Sequence, residues 1–165
     1  MLSGVVKVVL GLVETKPIDL GAGSFPLNRE FAWRITNGVG AGQADLIWTD
    51  TRTLGAGANE DLDLAGVLSS IFGATLAAAR LKGLFVEAAA ANPNALTLSR
   101  PAANGISLFA AAGDAITIRP GGVFAWWAED ATAVPIAGGS ADLLNLLAGA
   151  GGNHVYDVVV IGASA

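Results

Sequence analysis

The chain has 165 residues, 53% hydrophobic and only 14% charged, with 9 Lys and Arg against 14 Asp and Glu for a net charge of −5. This length suits one domain able to bury a core without staples, and the lack of cysteine excludes disulfides and thiolate metal sites. The acidic balance and scattered basic residues oppose nucleic-acid binding, which depends on cations neutralising phosphates.

A soluble monomer carries about 25% charged residues. The shortage here points to surface hidden against other copies or a larger assembly. Leu2 to Val13 is apolar but holds Lys7 in its middle and is closed by Glu14. It falls short of the about 20 residues of a spanning helix, and it has no basic start or small-residue cleavage site. Val123 to Ala128 is shorter still, so no membrane segment is expected.

From Phe31 onward the dominant period is two. Phe31, Trp33 and Ile35 alternate with Ala32, Arg34 and Thr36, which predicts a half-buried strand. Gly38-Val-Gly40-Ala-Gly42 has dinucleotide-loop spacing, but a strand follows it instead of a helix, so it reads as a turn. Ala44 to Leu54 places Leu46 and Trp48 on one face, with Asp50 and Arg52 continuing that face out of the core. Asn59, Glu60, Asp61 and Asp63 offer oxygens, but alternation sends Asp61 and Asp63 to one solvated face. A calcium site needs six to eight converging oxygens.

Leu64, Leu68, Ile71 and Phe72 fit helical spacing and predict a short helix over residues 66–72, followed by a strand from Leu81 to Val86. Ile116 and Ile118 alternate with Thr117 and Arg119. The adjacent Trp126 and Trp127 must face opposite sides of one strand, so at least one lies outside the local core. Both are candidate interface residues, and a sugar-stacking role is the competing reading. Asp142 to Leu147 suits either a helical turn or a strand. His154 is the only histidine and lies beside Gly151-Gly152-Asn153. Asp157, three residues on, points to the opposite face of a strand, which leaves His154 without an orienting acid. Val155 to Ile161 is apolar on both faces except at Asp157 and predicts a central, covered strand.

Short strands punctuated by glycine turns predict an all-β fold, a β-sandwich of jelly-roll type. No residues form a catalytic, cofactor-binding or metal-binding set in this reading, so an enzyme is not expected.

One set of segments resembles a known family. It comprises Ile35-Thr-Asn-Gly38, Ala44 through Leu54, Asp61-Leu-Asp-Leu-Ala-Gly66, Phe72-Gly-Ala-Thr75, Ile118-Arg-Pro-Gly-Gly122 and Tyr156 through Ser164. These are similar to small accessory virion proteins encoded among the head and tail genes of tailed bacteriophages. The similarity covers about residues 31–165 and rests on turns and strands, so no family ligand residue carries over. It implies a virion protein made in the host cytoplasm and placed on the capsid surface. There it would act as a decoration, or cement, protein bound to the major capsid protein and self-associated as a trimer or dimer. A tail or fibre component, or a carbohydrate-binding module using Trp126 or Trp127, stays open. Residues 1–30 are then either an arm lying on a neighbour or a first strand plus loop, and residues 31–165 the sandwich domain.

Overall fold

The alternation of apolar and polar side chains is realised as twelve strands in the computed structural model, which describes residues 1–165 except Ile71. In chain order they are β1 (Gly4–Ile18), β2 (Gly21–Asn37), β3 (Gln43–Ala44), β4 (Leu46–Leu54), β5 (Asn59–Asp63) and β6 (Arg80–Ala88). There follow β7 (Leu96–Ser99), β8 (Ala115–Ile118), β9 (Val123–Trp127), β10 (Val134–Pro135), β11 (Leu143–Ala148) and β12 (His154–Ala163).

Two antiparallel sheets form the body. One runs β4-β12-β6-β9, with β10 extending the β9 side of β6. The other runs β5-β11-β7-β8. Successive strands from β4 onward cross between the sheets except at β7–β8 and β9–β10, and this is the jelly-roll connectivity of a β-sandwich. Leu84, Val86, Tyr156, Val158 and Val160 from the first sheet join Leu62, Leu96, Leu98, Leu144 and Leu146 from the second in one buried cluster. Each such aliphatic side chain contributes about 1.5–3 kcal/mol by leaving water, so the sandwich has ample apolar drive.

Asp142 to Leu147 resolves as strand, since Leu144 and Leu146 are buried at a spacing of two. The long β12 is central, as its sequence implies, and it carries a register shift between Ile161 and Gly162. The second half of β4 does not leave the core for good: Asp50 is exposed, but Leu54 returns to the interior.

The helix expected over 66–72 is not formed by the described residues of that segment; Ile71 lies outside them. They make turns and an isolated bridge between Ser69 and Thr75. Their backbone groups bond to the residues that follow: the Leu68 carbonyl accepts from Leu76 N–H, and Ser70 N–H donates to Ala74. Leu64 and Leu68 are buried, but Phe72 is 88% exposed, so the presumed helical stripe has no continuous partner. Gly66 and Gly73 weaken any helix there further.

Candidate interaction surface

The first two strands form a hairpin of unusual length. β1 and β2 pair without a break from Gly4↔Ile35 to Ile18↔Gly21, closed by Asp19-Leu20. At about 3.3 Å per residue, the part from Lys7 to Ile18 extends about 36 Å. Beyond Val8 and Phe31 nearly every residue of both strands is exposed, so the hairpin projects from the sandwich as an arm. Residues 4–18 and 21–30 are thus paired strand, and the hairpin runs across the boundary between residues 30 and 31.

The root is well seated. Leu2 N–H donates to Asn37 Oδ1 at 2.8 Å, closing the base of the hairpin. Trp33 is fully buried and Ile35 nearly so, packed with Ala44 and Ile161 into a second cluster on the outer face of the β4-β12-β6-β9 sheet. Phe85, Val159, Val6 and Trp127 line that cluster. An open apolar cleft of about 410 Å³ remains beside the root, between Val6, Ile47, Phe85 and Val159.

Register divides the arm into two unlike faces. One carries Val6 and Trp33, then Val8 and Phe31, Leu10 and Arg29, Leu12 and Leu27, Glu14 and Phe25, and ends at Lys16 and Ile18. Along it Phe25 is 66% exposed, Leu12 59% and Phe31 52%. The other face mixes Val5, Val9 and Val13 with Asn28, Arg34, Thr15, Ser24 and the Lys7–Glu30 ion pair at 2.9 Å. The first face is therefore an apolar ribbon that continues the buried root cluster out into solvent.

The paired tryptophans divide as their adjacency requires. Both are half-buried; Trp126 packs against the main core and Trp127 against the root cluster. Trp48 is in the main core, and Trp33 anchors the arm.

Three polar side chains of the body are engaged with one another at one end of the sandwich. Arg52 binds Glu60 Oε2 through Nε at 2.8 Å and through its terminal nitrogen at 2.5 Å, and it reaches Asp50 at 2.9 Å. Tyr156 donates its hydroxyl to Glu60 Oε1 at 2.6 Å. Burial pushes the Glu60 carboxyl up, but the bonds from Arg52 and Tyr156 outweigh it and hold the group below the usual carboxylate range. Burial and the same carboxylate push the Tyr156 hydroxyl well up. Bonding to Glu60 raises Arg52 further above its ordinary value. All three shifts move away from neutrality, opposite to the tuning of general acid–base groups.

Lys82 is fully buried and donates to the carbonyl oxygens of Gly40, at 3.1 Å, and Asp130. Burial lowers its pKa. It pins the 38–42 turn to the loop after β9, where Gly42 N–H also reaches Glu129 at 2.7 Å. His154 opens β12, fully buried, with Nδ1 3.0 Å from the Gly152 carbonyl oxygen and Nε2 unpartnered. Asp157 lies on the exposed face and accepts from Thr51 at 2.5 Å. Among the described residues no three His, Asp or Glu side chains gather as metal ligands. Asp61 is instead bound by Asn145 at 2.7 Å, and Asp63 caps the Ala65 N–H at 2.9 Å. No described helix is long and apolar enough to cross a membrane.

The arm's ribbon is the surface that sequence reasoning missed. Its signal is present: Phe25, Leu27, Phe31, Trp33 and Ile35 keep a period of two, and long strand-forming segments flank Asp19-Leu20 on both sides. Valines on both faces of β1 and the Arg29 interruption hide it. Comparison of the chain with protein-family models, curated proteins and solved structures finds no match.

Proposed function

We propose that this chain is a structural, non-catalytic component of a larger assembly, and specifically a decoration protein of a tailed-bacteriophage capsid. The observation that carries the first part is the arm: an apolar ribbon about 36 Å long that the single chain leaves uncovered. An isolated two-stranded hairpin is at best marginally stable in water, and contiguous apolar patches of this size mark interaction sites. Arg52, Glu60, Tyr156 and Lys82 support the same reading, because their polar atoms are engaged in internal bonds. The capsid role rests on the resemblance of residues 31–165 to accessory virion proteins, and it suits an acidic chain with little charge to spare.

In this role the protein adds binding energy across joints between capsid subunits. Whatever binds the assembled lattice better than its dissociated parts favours assembly, and many copies on one shell reinforce each other through avidity. With so few charges, contacts to the shell are apolar and hold at high salt. The test is to strip or delete the protein and heat the particles while following DNA release. Bare heads are expected to release DNA at a lower temperature than decorated ones. Equal release temperatures would remove the capsid role and favour a tail or glycan-binding one.

A further inference from the structure

We propose that the apolar face of the arm pairs with the same face of a second copy, the two arms running antiparallel about a two-fold axis at Leu12 and Leu27. The inference rests on the reading of the chain as an assembly component, but not on its place in a virion.

Three observations carry it. The first is area. From side-chain size and fractional exposure, the large apolar residues of this face present roughly 500–600 Å² per copy, the upper end of what monomers leave open. Two such faces, with their polar members, approach the about 1,200 Å² at which standard interfaces begin.

The second is self-complementarity, which a two-fold interface requires because one patch must match itself. With the axis at the Leu12–Leu27 level, the Leu10–Arg29 level of one arm lies over the Glu14–Phe25 level of the other. Glu14, the only acidic residue on this face, then lies over Leu10 of the other arm and diagonally across from its Arg29, twice by symmetry. Lys16 comes over Val8, diagonally across from the Phe31 ring, which favours a cation beside it. Ile18 at the tip reaches the Val6 level, beside the open cleft at the root; Trp33 there is already buried by its own sandwich, so the pairing covers the ribbon from Val8 and Phe31 outward.

The third concerns the edges. Both long edges of the arm have free backbone groups and invite pairing with another strand. Pro17 and Pro26, however, stand at registers of the same parity, Pro17↔Ala22 and Val13↔Pro26. Having no N–H, they belong at the outward-pointing positions, one on each edge. Edge-to-edge extension is thereby blocked near the tip, and the face is left as the contact surface.

The experiment uses the full chain in sedimentation velocity from low micromolar to about 100 µM, a range that brackets micromolar dissociation constants. A mass about twice the 16.5 kDa of the monomer is expected. Arg29→Glu or Glu14→Arg alone should weaken the dimer roughly tenfold, since each surface pair occurs twice, and the two together should restore it. Leu12→Asp should give monomers with an unchanged melting temperature of the sandwich, because Leu12 lies outside both buried clusters.

The chain has no cysteine, so Leu12→Cys can be linked specifically to its copy by a bismaleimide spanning about 10 Å, the spacing of packed sheets. Val9→Cys, on the opposite face, should not link. A monomer at every concentration, links at Val9 in place of Leu12, or links from Leu12 to the sandwich would each overturn the pairing. A monomeric result would leave the heating of particles to decide the capsid role separately.

Discussion

Tyr156, on the central strand of one sheet, donates its hydroxyl at 2.6 Å to Glu60, on the edge strand of the other. With Arg52 on the neighbouring β4 it makes a buried-to-surface tie that locks the two layers together at one end. Removing the hydroxyl leaves a partly buried carboxylate short of a donor, and bonds to charged groups contribute about 1.5–3 kcal/mol. Tyr156→Phe should therefore lower the melting temperature by about 3–10 °C for a domain of this size, without changing the fold by circular dichroism.

The same tie sets a response to acid. The folded-state pKa of Glu60 lies below its ordinary value, so its contribution to stability is fully present above the unfolded carboxylate range and is lost as pH falls through the folded pKa. Chemical denaturation across pH 7 to 3 should show stability falling in acid. Glu60→Gln should start less stable at pH 7 and show a shallower fall. An identical pH dependence in the two proteins would mean that Glu60 is not the group responsible.

Trp33 governs the arm separately from the body. Truncating a buried tryptophan costs about 3–5 kcal/mol, but Trp33 belongs to the root cluster and not to the main core. Trp33→Ala should speed amide exchange throughout residues 4–37 while β12 stays protected, the signature of local opening. Loss of protection in β12 as well would show that root and sandwich unfold together.

Lys82 acts as a buried clamp between two loops. Lys82→Met keeps the aliphatic stem but removes the donors to Gly40 and Asp130. Faster exchange at Gly42, whose N–H bonds Glu129, and at Ala128, whose N–H bonds the Lys82 carbonyl, is the expected result.

What the sequence discloses follows its physics. Segments with one buried face, such as Trp48 in β4 or Leu144 and Leu146 in β11, carry a period of two because the core selects alternate residues. The jelly-roll expectation follows from many such segments between glycine turns. The segment around Leu64 and Leu68 mimics a helix because two loop leucines that tuck under the sandwich fall four residues apart, a spacing that turns also produce. The arm is obscured for a different reason. No core of its own chain selects one face of it, so valines occupy both sides of β1, and only β2 keeps the alternation. Lys82 gives no signal at all, since only the fold brings two loop carbonyls to its ammonium.

The central claim is that the arm's apolar face is covered by another chain in the assembled protein. Hydroxyl-radical footprinting reads side-chain exposure directly, and Phe25 and Phe31 are 66% and 52% exposed on the single chain. Both should oxidise readily in dilute protein and become protected as concentration rises or in the assembled particle. Oxidation at one unchanging rate from dilute solution to particle would contradict the account.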